Sequence, residues 1–295
     1  MTWGMATTTG RSTSGSTGSA RPARSARGLI LRRIALALAA TGLLVACASA
    51  PPSPSPAARA DLAPTGKLRA GINYGNVVLV QKDSVTGESR GPAIELAREL
   101  GKRLGVPVEI VAYTSASTMF DGARTGAWDI AFLGADPARA GEVDFTAAYL
   151  ELEATYLVPE GSRLLSMGDV DQDGVRVAAP ARAAYELYLS RSLQRANLVR
   201  VENASVAFEL LATGRVEALA GLRQALVPLA EKLPGSRVLD GRFMAVQQAV
   251  GIPKGHDAGL AYLRAYVEEA KASGMVARSI EKTGFRGVAV APRSP

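Results

Sequence analysis

Cysteine and histidine are almost missing from this chain: 295 residues contain one of each, Cys47 and His256. A single cysteine excludes an internal disulfide and a thiolate metal cluster. A single histidine excludes a histidine-rich metal site and a double-histidine mechanism. His256 follows Lys254 and Gly255 at the start of a helical pattern, where a solvated turn residue is expected. The sequence also lacks a GxSxG elbow, a phosphate loop and a cysteine pair, so neither metal nor cofactor is expected. Residues 1–46 contain no acid at all, but carry Arg11, Arg21, Arg24, Arg27, Arg32 and Arg33. Without those six arginines, 34 Lys+Arg become 28 against 27 Asp+Glu, a net charge of +1. The basic excess therefore sits in the N-terminal segment, and nucleic-acid binding loses its compositional support.

What that segment does contain points to export. The arginines precede an apolar run over residues 34–46, which is too short to cross a bilayer comfortably and reads as the core of a signal peptide. The run ends in Leu44-Val45-Ala46-Cys47, which matches a bacterial lipobox, so Cys47 is the expected site of lipidation and of a membrane anchor. Residues 47–66 are rich in Pro, Ala and Ser and predict an extended tether. An extracytoplasmic, lipid-anchored location follows.

From residue 67 onward strands and helices alternate, which predicts an α/β architecture. Strands are expected over residues 68–72, 108–112 and 129–133, with helices between them; Ile94, Ala97, Leu100 and Leu104 form one helical stripe. A second set follows, with strands at 175–179, 198–201 and 216–220 and helices at 181–193 and 205–213. Residues 244–250 then read as a strand returning to the first set, and 257–273 as a long helix with Leu260, Leu263, Val267 and Ala270 on its core side. Two crossings between the sets make a natural hinge. The expected domains are 1–46 as signal, 47–66 as tether, 67–155 plus 246–290 as a first lobe and 156–245 as a second.

The densest chemistry lies in GAWDIAFLGADPARAGEVDFTAAY, residues 126–149. Ile130, Phe132 and Leu133 form a buried strand, and Asp136-Pro137 suit the cap and first position of a short helix that carries Arg139. Ligands of open α/β sheets sit beyond the carboxyl ends of strands, where Arg139 falls. Strand, loop, arginine and ExVDF, together with GRVEAL at 214–219 and LGVPVEIV at 104–111, closely resemble family 3 of the periplasmic solute-binding proteins, the amino-acid receptors of ABC importers. The resemblance spans residues 67–285. It implies a two-lobed type II periplasmic-binding-protein fold with two crossing strands as hinge. It also implies a monomer that closes over a small anionic or zwitterionic solute and delivers it to an inner-membrane permease.

The same resemblance implies that Arg139 clamps a carboxylate, that Gly134 turns its backbone to the ligand, and that Asn73 and Tyr74 belong to the ligand loop. In the second lobe the chain departs from the family. Leu222, followed by Arg223, stands where an aspartate normally neutralises an ammonium, and Pro180-Ala181-Arg182-Ala183 replaces a Gly/Thr loop. If Arg182 and Arg223 join Arg139, the cleft holds three cations and suits an anionic, amine-poor metabolite. Gln247 and Gln248 either line the hinge side or pair in the sheet or face water. Asp136 and Glu186, the carboxylates near the mouth, read as a helix cap and a solvated helix face. Two further readings stay open: a sensor without transport, and a cyclohexadienyl-dehydratase-like enzyme on the same fold.

Overall fold

The computed structural model describes residues 53–285 and 287–294. The basic segment, the lipobox and Cys47 lie outside the described residues. None of the described helices is long and apolar enough to cross a membrane.

The first half of the molecule is built on β1 (Leu68–Asn73), the small hairpin β2 (Gln81–Lys82) and β3 (Ser89–Arg90), helix α2 (Pro92–Leu104), β4 (Val108–Tyr113), α3 (Ala116–Thr125) and β5 (Ile130–Gly134). In α2 the expected stripe is buried, and Pro92 opens the helix while Gly105, left-handed at φ 65°, ends it. The 16-residue strand β6 (Val143–Val158) leaves this half, and β7 (Arg176–Pro180), α4 (Ala184–Ser192), β8 (Asn197–Val201), α5 (Ala204–Ala212), β9 (Ala218–Leu222), α6 (Arg223–Glu231) and β10 (Arg237–Val238) form the second. The return runs along β11 (Met244–Pro253) to α7 (Asp257–Ala272), α8 (Met275–Thr283) and β12 (Ala289–Val290).

The sheet has the order β4-β1-β5-β11-β6-β9-β7-β8. Its outer parts are parallel, as expected for βαβ units, whereas β11 runs antiparallel to both β5 and β6. Strand β6 serves both lobes. It pairs with β11 from Val143 to Ala154 and with β9 from Ala154 to Leu157. The two long strands β6 and β11 are therefore the crossings of a two-lobed periplasmic-binding-protein fold. The apolar side chains gather in several clusters, the largest of which is centred on the first half and reaches Ala184 and Leu222 of the second. Ile72, Leu100, Phe132 and Val267 belong to the large first core, and Val177, Leu189 and Ala218 to one of those in the second lobe.

Three expectations need correction. Part of the supposed extended tether is helix α1 (Pro56–Leu62), which starts at Ser55, whose side chain accepts the Ala58 N–H, and buries Ala58 and Leu62. Its Asp61 carboxylate accepts the Gly259 N–H at the start of α7, which fixes α1 against the body. A Pro/Ala/Ser composition hid an i, i+4 apolar pair and a Ser-Pro start signal. The helix expected from residue 181 begins at Ala184, because Arg182 takes a left-handed φ of 59° and the Ala183 N–H turns back to the Pro180 carbonyl. The strand expected at 216–220 lies at Ala218–Leu222, so Leu222 is its last residue and directly precedes α6.

Candidate ligand-binding cleft

At the carboxyl ends of β1, β5, β7 and β9 the two lobes face each other across a cavity of about 900 Å³, its open mouth included. The residues that directly precede α3, α4, α5 and α6, namely Ser115, Ala183, Asn203 and Leu222, all line it. Four helix N-termini thus open onto one space, and their aligned peptide dipoles favour negative charge there. Neither Ala183 nor Leu222 provides a capping side chain, so α4 and α6 present their first N–H groups without one.

Arg139 is the one charged side chain among the described residues lining this cavity. It is 3% exposed and sits on the 3-10 turn Pro137–Arg139, held by Asp136, whose carboxylate accepts the Ala138 N–H. Its guanidinium donates from Nη1 to the Gly134 carbonyl and from Nη2 to the Arg182 carbonyl, the latter 2.6 Å away in the other lobe. Among the described residues no carboxylate forms an ion pair with it. Burial pushes it down to about 10, partly offset by the field of Asp136; it stays charged near neutral pH. A buried cation whose two acceptors are neutral carbonyls is short of an anion.

Of the other residues expected at the site, Gly134, Asn73 and Ala183 line the cavity. Tyr74 does not: its hydroxyl bonds Ser89 Oγ at 2.8 Å, and its ring packs against the first core. Arg182 and Arg223 are not among the lining residues either, which removes the three-cation arrangement. The left-handed turn at Arg182 directs its guanidinium to Asp121 of α3, 2.7 Å away, and over the Phe120 ring at 4.6 Å. That contact holds the Asp121 carboxyl below the usual carboxylate range. Arg223 pairs with Glu153 of β6 at 2.8 Å and donates to the Gly241 carbonyl. In both cases a nearby carboxylate or carbonyl outside the cavity outcompetes the cleft.

The carboxylates at the mouth are committed as well. Asp136 is a cap, as expected, but its two oxygens also accept from Arg191 of α4 at 3.0 and 2.9 Å. Glu186 is 2% exposed, not a solvated helix face; it accepts the Arg182 N–H and pairs with Arg200. The lining is completed by groups that the sequence did not single out, among them Asn76, Asn203, Leu79, Met119 and Tyr185. The Asn-Ala-Ser start of α5 was a legible signal for Asn203, whose Oδ1 accepts the Ser205 and Val206 N–H groups.

The sequence model of the bacterial extracellular solute-binding proteins, family 3, matches residues 69–284. The chain belongs to this family. It is 27% identical over 194 residues to the glutamine-binding protein of Geobacillus stearothermophilus, covering 64% of this chain and 73% of that one. An amino acid ABC transporter substrate-binding protein from Streptococcus pneumoniae, bound to L-arginine, superposes with a TM-score of 0.65 at 22% identity, over 75% of this chain and 96% of the other. An ancestral amino-acid-binding protein described as a precursor of cyclohexadienyl dehydratase does so with 0.64 at 26%, over 76% and 98%. Membership of family 3 makes this chain a substrate-binding protein of the amino acid ABC transporter family, most of whose members bind rather than transform their solutes. The cleft just described lies at the carboxyl ends of the strands, where ligands of such sheets are held.

Proposed function

We propose that this protein is the extracytoplasmic receptor of an ABC importer, and that it closes its two lobes over a small carboxylate held by Arg139. The observation that carries the reading is a buried guanidinium without a carboxylate partner, in a cavity onto which four helix N-termini open. A solute carboxylate placed there accepts two parallel N–H groups from the planar fork and takes over from the carbonyls of Gly134 and Arg182. Because the Arg182 carbonyl belongs to the second lobe, the carboxylate that takes its place on the guanidinium replaces a contact between the lobes.

The rest of the lining argues for a solute without a free ammonium. Leu222 occupies the end of β9, and none of the lining side chains is a carboxylate. An ammonium or a second guanidinium brought in here loses its water with no anion to replace it, and Arg139 repels it. The body of the solute meets Leu79, Met119, Phe132, Leu226 and Val246. Export by residues 1–46, a lipid anchor at Cys47, a first lobe over 67–155 plus 246–290 and a second over 156–245 complete the proposal. The partner is then an ABC permease. A sensor with the same anchor would use the cleft identically, and deletion of the neighbouring permease genes separates the two by its effect on uptake.

Calorimetric titration of the domain from residue 53 tests the reading. Glutarate, glutaramate or pentanoate is expected to bind more tightly than L-glutamine or L-arginine; tight binding of L-arginine with no heat from any of the three acids would overturn the choice of solute. Turnover of prephenate or arogenate would replace the receptor with an enzyme. One substitution probes closure. A Cβ on Gly134 would stand 2.7 Å from the Ala184 Cβ in the other lobe and 2.9 Å from Val246 Cγ1. Gly134→Ala is therefore expected to weaken binding about tenfold, roughly 1.4 kcal/mol of contact strain against Ala184 in the closed form, and to lower the melting temperature as well, because the Val246 contact lies within the first lobe.

A further inference from the structure

Gln248 lies in the middle of β11 and is 3% exposed. Its side chain lines the cavity, yet its Oε1 is buried with no hydrogen-bond partner. The backbone explains the position. Gln248 stands opposite Gly134 of β5 and Leu150 of β6, and the register slips between Gln248 and Ala249, so the strand is irregular at this point. Gly134 has no side chain to fill the space, and the Gln248 Nε2 comes within 3.8 Å of where a Cβ on Gly134 would be. Since Arg139 donates to the Gly134 carbonyl, the guanidinium and the amide both stand close to this one residue.

The other amides of the cavity are arranged differently. Asn73 Oδ1 accepts the Gly75 N–H, Asn76 Oδ1 the Val78 N–H and Asn203 Oδ1 those of Ser205 and Val206. Their acceptors are spent on turns and a helix cap, which leaves N–H groups for the solute. With Arg139 and four helix N-termini, the lining is rich in donors and poor in side-chain acceptors. Among the amides lining the cavity Gln248 is the uncommitted one, able to accept and donate; the Thr114 and Tyr185 hydroxyls also line the space. A buried polar group without a partner is destabilising unless a partner arrives.

We propose that Gln248 is a specificity-determining residue, the neutral partner that reads a hydroxyl or amide of the solute beside the carboxylate on Arg139. This rests on the receptor reading above, but not on which solute is transported. The amide replaces an anionic contact with a neutral one and selects an uncharged polar group where an ammonium would find no counter-charge.

Three proteins decide the matter: the wild type, Gln248→Leu and Gln248→Glu, each titrated with glutaramate, pentanoate and L-arginine and each melted without solute. Glutaramate and pentanoate share a carboxylate and differ in the terminal amide. The wild type is expected to prefer glutaramate about tenfold; Gln248→Leu loses that preference and melts at a higher temperature, since the unpaired amide is gone. Gln248→Glu is expected to lose both acids and gain L-arginine, its new carboxylate facing the cation. If the two variants keep the wild-type ranking of the three probes within twofold, Gln248 does not read the solute and the inference falls. If the wild type takes no acid but Gln248→Glu still gains L-arginine, the inference stands and the acid reading of the solute falls.

Discussion

Arg139→Leu is expected to weaken binding of the best solute by 100- to 1,000-fold while leaving the melting temperature of the solute-free domain unchanged or higher. The first half follows from the loss of two charge-assisted hydrogen bonds to a carboxylate in a water-poor cavity, together about 3–4 kcal/mol. The second half follows from burial. The guanidinium is 3% exposed and has no ion-paired carboxylate among the described residues, and the field of Asp136 offsets its desolvation only in part, so its removal relieves a cost that the folded chain carries for function. The Gly134 and Arg182 carbonyls lose their donor, which limits the gain. Arg139→Lys keeps the charge but gives up the planar fork, and recovers only part of the affinity. Titration and a thermal melt on the same preparations measure both quantities. A structural arginine predicts the reverse pattern, a large fall in melting temperature with affinity nearly intact.

How much of this was legible beforehand depended on the distance over which a residue is decided. Strands β1, β4 and β5 and helix α7 follow from apolar periodicity and local caps, and their observed ends lie within about two residues of expectation; the stripe expected for α2 is buried in its helix. Arg139 was legible because strand, cap and short turn are all local to it. Arg182 and Arg223 were not, since their partners Asp121 and Glu153 lie 61 and 70 residues away in sequence. Composition was misleading for α1, where buried Ala58 and Leu62 outweigh a tether-like run of Pro and Ala. Glu186 was misread for the same reason as Arg182: its partner Arg200 comes from β8, and pairing turns an exposed helix face into a buried one. Helix α8, with Val276, Ser279 and Ile280 buried, and helix α6 lie outside the expected elements; in α6 the internal Pro228 reads as a breaker.

Arg191→Ala is expected to open the molecule without unfolding it. Three polar contacts cross between the lobes around α4: Asp136 with Arg191 of its last turn, and, ahead of its start, Asp121 with Arg182 and Arg139 with the Arg182 carbonyl. Only the first is a two-pronged pair with a buried carboxylate, since the Asp136 side chain is 1% exposed. Without Arg191 that carboxylate keeps the Ala138 N–H and loses its counter-charge, a state far costlier closed than open. When the lobes part, water replaces the missing partner, so the penalty falls on closure alone. The Arg191 side chain is 45% exposed, which screens the pair and reduces its value to about 2 kcal/mol, or roughly 30-fold in the open–closed equilibrium. A solute that binds the closed form loses affinity in proportion to the fall in the closed fraction, at most by that factor. Small-angle scattering on the solute-free domain should show a larger radius of gyration for Arg191→Ala than for the wild type, restored by saturating solute. Arg191→Lys, a point charge in place of a fork, should fall between them. Equal radii and equal affinities for all three proteins would mean that this pair follows closure and does not favour it.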